Sequence, residues 1–380
     1  MHPLTENVPK PMLPIGDKPM VARVADAAVD AGADELVVVV GYEGATVREY
    51  FGTSYRGVPV VHVDQGDPEG TADAVRSAAD HVDGQFAVLN GDNVYDADSL
   101  LELFATESGI GAYRVENPTE YGVLETREGF VDGLVEKPAD PPSTLVNAGA
   151  YVFPTGTTEL LDVPKSERGE FELTDVVNRV IDEHEVSFVE FDRWSDVGRP
   201  WELLEATAAT LADQSRRIEG TVHQDATISG DVVVEAGATV KSGVTIEGPV
   251  WVGEGSTVGP NAYVRGATFI DTDVHVGHSV EVKNSVLMAG ASVPHLSYVG
   301  DSILGHDVNL GAGTNVANLR HDGAPIQHTV KGERVSTGRR KFGAVLGDGV
   351  KTGINTSLNP GVTLSEGATT APGEHVSRDR

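Results

Sequence analysis

The spacing of apolar residues changes near residue 218 and divides the chain into two halves. In the first half, helical patterns such as DKPMVARVADAAVDAGAD and TADAVRSAADHV alternate with the apolar runs ELVVVVGY, VPVVHVDQ and QFAVLNGD. Apolar runs of this length predict buried strands, and their alternation with helices is typical of a mostly parallel sheet covered on both faces. We therefore expect an α/β domain that binds ligands beyond the carboxyl ends of its strands, where LNGDN lies.

In the second half, aliphatic residues recur every six positions. Neither an α-helix nor an ordinary strand has this period, whereas a hexapeptide solenoid places one inward aliphatic side chain on each short parallel strand. The pattern slips near Met288, resumes at Val293, and reaches Leu346 after a polar insertion. It predicts a parallel β-helix with three hexads per coil. The unbroken series is Val222, Ile228, Val234, Val240, Ile246, Val252, Val258, Val264, Ile270, Val276 and Val282.

The two halves are joined by RPWELLEATAATLADQSRRI, a strong helix-forming sequence. We expect an α/β domain over 1–200, a linker helix over 201–217 and the β-helix over 218–380. A solenoid can be only a scaffold or an oligomerisation stalk. A catalytic function for it therefore has to be argued from residues outside the repeat.

Composition excludes several classes of function. The chain has 380 residues and no Cys, so disulfides, thiolate metal sites and a Cys nucleophile are excluded. Its formal net charge of −30 repels nucleic acid and anionic membranes and suits a salt-rich, halophilic cytoplasm. No apolar stretch approaches 18 residues and no apolar signal core begins the chain, so we expect a cytoplasmic protein.

The first half resembles the sugar-1-phosphate nucleotidyltransferases, which implies a Rossmann-like α/β fold. The resemblance depends on the order of PLTENVPKPMLPIGDKPM, QGDPEGTADAV, LNGDN, YGV, VEKP, NAGAYVF and WSDVGRPWELL. In that family a strand and a G-x-G-T-R turn precede the first motif, and the chain as given begins where that turn ends. A start codon assigned too late and a degenerate first domain both explain this. Without the phosphate-cradling loop, nucleotidyl transfer should be badly impaired.

This resemblance implies a nucleotidyl site. Asp92 and Asp196 match the positions that bind Mg²⁺, a cation that prefers carboxylate, phosphate and water oxygens. Lys10 matches the lysine that neutralises phosphate. The matched base-reading and sugar-binding positions are Gln65, Gly70 and Thr71 for a pyrimidine of UTP or dTTP, and Gly122, Glu136, Lys137 and Asn147 for the sugar phosphate. A structural turn role is the alternative for Gly122 and Asn147.

The second half closely resembles the acetyltransferase half of GlmU-type bifunctional enzymes over VEVKNSVLMAGASVPHLSYVGDSILGHDVNLGAGTNVANLRHDG. The resemblance implies a left-handed β-helix, acetyl-CoA as donor, an amino-sugar phosphate as acceptor, and a homotrimer. A trimer would also cover the apolar flanks that a lone prism exposes. The matched positions, with their intervals, are Arg265, Lys283, His295, Tyr298, Asn309, Ala312 and Asn318.

These residue types suit acetyl transfer. The acceptor amine must lose a proton, and the imidazole of His295 titrates near neutrality. Arg265 and Lys283 lie 18 residues apart, one coil of three hexads, so they should stack as a cationic clamp for phosphate. We expect Tyr298 to contact that phosphate, Asn309 to contact the sugar, and Ala312 and Asn318 to contact the acetyl-CoA arm. We expect His275, His278 and His306 to be structural.

Two features depart from the bacterial enzymes. Leu319 replaces an aromatic residue, and the insertion DGAPIQHTVKGERVSTGRRKFG is longer and more basic. Its Arg339, Arg340 and Lys341 could serve CoA phosphates or contact a neighbouring subunit. The pattern looks most like archaeal bifunctional relatives, and preference between glucosamine and galactosamine phosphate stays open.

Three functional hypotheses follow. The first is a bifunctional enzyme of UDP-N-acetylglucosamine formation. The second is a glucose-1-phosphate thymidylyl- or uridylyltransferase with a regulatory or oligomerising β-helix. The third is a non-enzymatic binding module. Release of free CoA with glucosamine-1-phosphate separates the first from the others.

Overall fold

A computed structural model describes residues 1–166 and 168–380. The chain forms two compact units, residues 20–196 and residues 1–19 together with 197–380. The first is the α/β unit and the second contains the solenoid. These units follow the packing of the chain, whereas the expected domains follow the sequence pattern. The expected boundaries at 200 and 217 therefore stay predictions.

The α/β unit is built on a six-stranded sheet. The long strand Leu145–Phe153 lies near its centre and pairs antiparallel with strands on both sides. Its apolar side chains are nearly all buried, as the continuous run NAGAYVF predicts. The strand order is Phe86–Leu89, Leu145–Phe153, Gly109–Arg114, Ser187–Glu190, Phe130–Glu136 and Gly122–Arg127.

The expectation of a mostly parallel arrangement is wrong for this sheet. Ser187–Glu190 runs parallel to Gly109–Arg114, but the other pairs are antiparallel. The hairpin between Arg127 and Phe130 turns through Glu128 and Gly129, both at positive φ, which closes an antiparallel pair in two residues. The expected parallel pairing is found in a separate sheet, where Leu36–Val40 pairs with Val58–Asp64, which also pairs antiparallel with Ser54–Tyr55.

The described residues of the α/β unit form five α-helices. Ala97–Phe104 begins at Asp96, whose Oδ1 accepts a hydrogen bond from the Ser99 amide at 2.8 Å, an ordinary N-cap. A short strand pair, Asn93–Tyr95 with Trp194–Asp196, lies outside the main sheet. The remaining α-helices are Met20–Asp30, Gly44–Phe51, Thr71–Ser77 and Leu173–Glu183, with 3₁₀ turns at Ala79–His81, Pro118–Glu120 and Thr157–Leu160.

The second unit contains the predicted left-handed parallel β-helix, with three faces. Face 1 contains Arg217–Ile218, Val232–Val234, Val250–Val252, Thr268–Ile270, Val286–Leu287, Ile303–Leu304, Val345–Leu346 and Thr363–Leu364. Face 2 contains Thr221–Val222, Thr239–Val240, Thr257–Val258, His275–His278 and Ser292–His295. Face 3 contains Thr227–Ser229, Thr245–Glu247, Tyr263–Arg265, Glu281–Lys283, Tyr298–Gly300, Asn315–Val316, Ser357–Leu358 and His375–Val376.

The six-residue period predicted the core of the β-helix. The inward aliphatic residues form one buried column, with Val222 and Ile228 partly buried at its first coil. Arg265 is level with Lys283, which confirms an 18-residue coil, and the slip near Met288 shortens the next step so that Lys283 is level with Gly300.

A helix and an inserted hairpin pack beside the β-helix in the same unit. The helix Pro200–Ala212 contacts the face 1 strand Thr268–Ile270. The insertion contains the hairpin Gln327–Val330 and Glu333–Ser336, whose His328 is buried edge-on against Trp201 and Phe342. The N-terminal segment contributes the 3₁₀ turn Lys10–Met12 and the strand pair Pro14–Ile15 with Lys18–Pro19.

Candidate active sites

The two residues predicted to bind a metal are brought close together along the backbone in the α/β unit. The short strand pair places Asp196 opposite Asn93, the residue that follows Asp92. Opposed residues of an antiparallel pair have Cα atoms roughly 4.5–5.5 Å apart. The structure therefore brings together two residues that are distant in sequence, as the resemblance implies.

The chemistry of this pair fits Mg²⁺. Two carboxylates are hard oxygen donors, and Mg²⁺ commonly takes one or two carboxylates plus waters and substrate phosphates. Across residues 1–166 and 168–380, no group of three or more His, Asp or Glu side chains is placed to hold a metal ion. A metal at Asp92 and Asp196 would therefore take its other ligands from water and substrate.

Gln65 and Gly70 form one local structure at the end of the strand Val58–Asp64. The Gln65 Nε2 donates to the Gly70 carbonyl at 3.1 Å and to Asp73 Oδ2 at 3.0 Å. Gly70 has φ +127°, and a Cβ there would collide with the Phe171 backbone. Thr71 Oγ1 accepts from the Leu173 amide at 2.9 Å. Gln65 and Gly70 therefore lie together, and the turn requires glycine for steric reasons. The role of Gln65, Gly70 and Thr71 toward the base stays a prediction.

Three of the predicted sugar-binding residues also come together. Gly122 pairs with Glu136 across two strands, and a Cβ on Gly122 would lie 3.1 Å from Glu136 Oε2 and 3.5 Å from the Asn147 Cβ. Asn147 Nδ2 donates to the Tyr151 hydroxyl at 2.6 Å. Burial raises the pKa of Tyr151 to about 12, so the phenol stays protonated. The absence of a side chain at Gly122 leaves room beside the Glu136 carboxylate.

Sequence reasoning missed Arg168. Its Nη2 lies 3.4 Å from Glu136 Oε1 and 2.8 Å from Glu172 Oε1, and Lys137 Nζ lies 3.8 Å from the same Glu136 oxygen. Two cations therefore meet at Glu136 where only Lys137 was expected. No local motif marks Arg168, because its neighbour Glu136 is 32 positions away.

Lys10 lies in the other unit. It begins the 3₁₀ turn Lys10–Met12 between Pro9 and Pro11. Burial, and next the nearby charge of Lys10, lower the pKa of the Met1 amino group. Its role toward phosphate stays a prediction.

On the β-helix, Arg265 and Lys283 stack in consecutive coils at the end of face 3. Each is paired with a carboxylate, Arg265 Nη2 with Glu281 Oε1 at 2.8 Å and Lys283 Nζ with Asp301 Oδ2 at 3.1 Å. The stack is thus present, but its charge is balanced. Arg265 directs Nε and Nη2 at Glu281, and Nη1 is left for a ligand.

Asp301, which sequence reasoning missed, organises this end of face 3. It is 3% exposed and accepts from Lys283, from Asn284 Nδ2 at 2.8 Å and from Asn318 Nδ2 at 2.6 Å. Asn318 also donates to the Tyr298 hydroxyl at 3.0 Å. Three predicted residues, Lys283, Tyr298 and Asn318, therefore belong to one hydrogen-bonded network with Asp301.

His295 and Asn309 lie on the neighbouring wall. His295 ends the last strand of face 2, is exposed and is level with His278 in the coil before. Asn309 continues face 2 one coil after Ser292. The Gly313 amide donates to the His295 carbonyl at 3.0 Å, which places Ala312 one coil beyond His295 on the same edge. Tyr298 begins face 3 three residues after His295, so an acceptor lying across face 3 could meet both walls.

Leu296, beside the predicted base, has an unusual backbone conformation. Its φ is +51° and it is 63% exposed. Backbone hydrogen bonds place it in a corner column whose other members are small or polar residues suited to left-handed backbone. An exposed leucine here is strained without compensating burial, which is typical of a functional position. The column contains Asn261, Ser279, Leu296, Gly313, Asn355 and Gly373.

Family models match both halves of the chain. The nucleotidyl transferase family matches residues 1–213, and the GMPPB C-terminal domain family matches residues 246–368. In the part of the chain that the structure describes, no helix is long and apolar enough to cross a membrane.

Curated relatives are similar over nearly the whole chain. The bifunctional protein GlmU of Methanocaldococcus jannaschii is 42% identical over 96% of this chain and 88% of its own. The bifunctional sugar-1-phosphate nucleotidylyltransferase/acetyltransferase of Sulfurisphaera tokodaii is 38% identical over 100% of this chain and 94% of its own. The low-salt glycan biosynthesis nucleotidyltransferase Agl11 of Haloferax volcanii is 35% identical over 82% of this chain and 90% of its own.

A solved structure supports the α/β fold alone. UDP-glucose pyrophosphorylase complexed with UDP-glucose has a TM-score of 0.52 at 24% identity, covering 56% of this chain and 94% of that chain.

Proposed function

Because the chain belongs to the family of bifunctional GlmU proteins, we propose that it catalyses two steps of UDP-N-acetylglucosamine formation. The β-helix acetylates glucosamine-1-phosphate with acetyl-CoA. The α/β unit transfers a uridylyl group from UTP to N-acetylglucosamine-1-phosphate. The observation that carries the acetyl-transfer half is the stack of Arg265 and Lys283 on the wall next to His295.

In acetyl transfer, the acceptor lies across face 3. Its phosphate binds the remaining donors of Arg265 and Lys283 and the hydroxyl of Tyr298, while Asn309 contacts the sugar and Ala312 and Asn318 contact the donor arm. His295 takes a proton from the acceptor amine as the amine nitrogen attacks the carbonyl carbon of the thioester. The carbon–sulfur bond breaks and CoA leaves with its sulfur electron pair. An exposed imidazole beside the amine can act as this base directly, without binding a metal ion.

In uridylyl transfer, an oxygen of the sugar phosphate attacks the α-phosphorus of UTP and pyrophosphate leaves. Asp92 and Asp196 would hold Mg²⁺, which would supply positive charge to neutralise the phosphates. Lys10 neutralises phosphate as the family pattern implies. Glu136 accepts hydrogen bonds from sugar hydroxyls, and Lys137, with Arg168, meets the sugar phosphate.

Gln65 reads the base. Its Nε2 is used within the turn by Gly70 and Asp73, so its carbonyl oxygen is the atom left for the imide N–H of a pyrimidine. Gly70 and Thr71 hold that turn. Uracil and thymine both carry this imide, so the contact does not distinguish UTP from dTTP. We assign UTP as the substrate because the family's relatives are named GlmU.

We propose a cytoplasmic homotrimer with its acetyl sites between subunits. The support is that Ile354, on the edge that carries His295, is 54% exposed, so a neighbouring subunit could cover it. Light scattering should give the mass of three chains of 40.0 kDa each. An active monomer would contradict the trimer.

The test of acetyl transfer is CoA release measured with a thiol reagent, using glucosamine-1-phosphate and acetyl-CoA. His295→Ala should lower kcat by about 10²–10⁴, the usual contribution of a general base. His278→Ala is the matched control, since it removes an imidazole one coil away on the same face, and it should keep activity. No CoA release by the intact protein would reject the acetyl-transfer function.

The test of uridylyl transfer is pyrophosphate release from UTP with N-acetylglucosamine-1-phosphate. Asp92→Asn and Asp196→Asn should abolish it and leave CoA release unchanged. Equal loss of both activities would point to unfolding and contradict separate sites.

A further inference from the structure

A cleft of about 390 Å³ lies at the end of the β-helix unit, away from the residues assigned above. It is bounded by the last coils, the inserted hairpin and the C-terminal residues. Three of its lining residues are arginines, and one is acidic. The residues that matter here are Arg320, Arg334, Arg378, Asn359, Ser377 and Asp379.

The arginines of this cleft are incompletely neutralised. Arg320 is paired with Asp322. Arg334 donates to the Gln327 carbonyl at 2.7 Å and to Thr329 Oγ1 at 3.4 Å, both neutral acceptors. Within residues 1–166 and 168–380, neither Arg334 nor Arg378 forms a salt bridge. In a chain of net charge −30, two arginines that line one cleft and form no salt bridge indicate a site for an anion.

The acid at the cleft is turned toward the protein. Asp379 accepts from the Thr363 amide at 2.8 Å through Oδ1, and the Thr329 hydroxyl contacts Oδ2. Its oxygens are thereby used to attach the chain end to face 1 and to the hairpin. They offset the arginine charge only in part.

The cleft lies on the same edge of face 3 as Arg265 and Lys283. Lys283 is level with Gly300, and the ladder from Val316 to Leu358 to Val376 makes Asn359 and Ser377 the matching positions three and four coils farther on. At the spacing of neighbouring strands these are roughly 14 and 19 Å from Lys283. A second anionic group held here would thus be well separated from the acceptor phosphate.

We propose that this cleft binds the phosphates at the nucleotide end of the acyl donor, the 3′-phospho-ADP portion of acetyl-CoA. The proposal rests on the acetyl-transfer function proposed above. A CoA thioester carries its reacting carbon and its phosphates at opposite ends of a long arm. The donor can therefore present its acetyl group at His295 while Arg334 and Arg378 hold its phosphates.

The binding test uses the full-length protein and adenosine 3′,5′-bisphosphate in isothermal titration calorimetry. The wild type should bind it, and Arg334→Gln/Arg378→Gln should bind at least about tenfold more weakly, as expected for lost charged hydrogen bonds. Arg378→Gln alone keeps the test valid if the double variant misfolds, because no described group depends on the Arg378 side chain. Arg216→Gln, which removes an exposed arginine outside the cleft, is the charge-matched control and should bind normally.

The kinetic test compares acetyl-CoA with acetyl-dephospho-CoA. In the wild type the KM should be lower for acetyl-CoA, and the double variant should lose this preference while kcat and the KM for glucosamine-1-phosphate stay unchanged. Failure of acetyl transfer in the wild type would reject the proposed function, yet bisphosphate binding would still test the cleft.

Three results would overturn the donor assignment. They are no bisphosphate binding by the wild type, equal binding by the double variant, and arginine-dependent binding of UDP-N-acetylglucosamine in place of the bisphosphate. The last result would identify a nucleotide-sugar site.

Discussion

Replacing Leu296 by Asn should stabilise the protein and impair acetyl transfer. Left-handed backbone costs an L-residue such as Leu about 1–2 kcal/mol, whereas Asn tolerates it. Leu296 is 63% exposed, so losing its remaining burial should cost only about 0.5–1 kcal/mol of a full leucine contribution. The net gain is about 0.5–1 kcal/mol, which corresponds to an increase in Tm of about 1–4 °C for a unit of this size.

Calorimetry and CoA release together test this reasoning. We expect Leu296, which adjoins the predicted base His295, to contact the substrate. Leu296→Asn should therefore lower kcat/KM for acetyl transfer by about tenfold, the effect of losing one apolar contact, and leave pyrophosphate release unchanged. Asn355→Leu is the reciprocal control, because Asn355 has φ +56° in the same corner column, and it should lower Tm. A lower Tm for Leu296→Asn would refute the strain argument and show that Leu296 is buried in the assembled protein.

Three further outcomes are expected. Asp301→Asn leaves Lys283, whose side chain is 16% exposed, without its carboxylate and should cost about 3 kcal/mol in urea unfolding, whereas no loss would contradict the network. Burial lowers the pKa of His328 below its ordinary value of 6.5, so the contribution of neutral His328 to stability is present above pH 6.5 and is lost as the pH falls. The difference in unfolding free energy between wild type and His328→Phe should therefore shrink from pH 7 to pH 5, and a constant difference would contradict this. Because like charges repel at a net charge of −30, Tm should rise from 0.1 to 2 M KCl, and a flat profile would argue against a halophilic surface.

The β-helix could be predicted from sequence because every coil repeats the same inward position. Each hexad contributes one buried aliphatic residue, so the sequence alone places Val264 and Val282 one coil apart. The stack of Arg265 on Lys283 followed from the same count. Because the repeat is regular, counting along the sequence identifies residues that are distant in sequence and adjacent in space.

The remaining features depend on partners that no repeat encodes. Asp301 is recognisable only when Lys283 and Asn318, from coils on either side, are seen to converge on it. The antiparallel sheet was missed because apolarity predicts burial and not direction. The signal for direction was the two-residue turn at Glu128 and Gly129, which joins two strands too closely for a parallel crossover.

The strand pair that brings Asp92 close to Asp196 would make metal binding at the proposed site depend on completion of the fold. These carboxylates are about 100 positions apart in the sequence, and they become neighbours only when Trp194–Asp196 docks on Asn93–Tyr95. Closing so long a loop is a late, entropically costly event in folding. If the proposed magnesium site is correct, nascent or damaged chains that lack this docking should be unable to bind the cation, and Mg²⁺ binding would report on the maturity of the whole α/β unit.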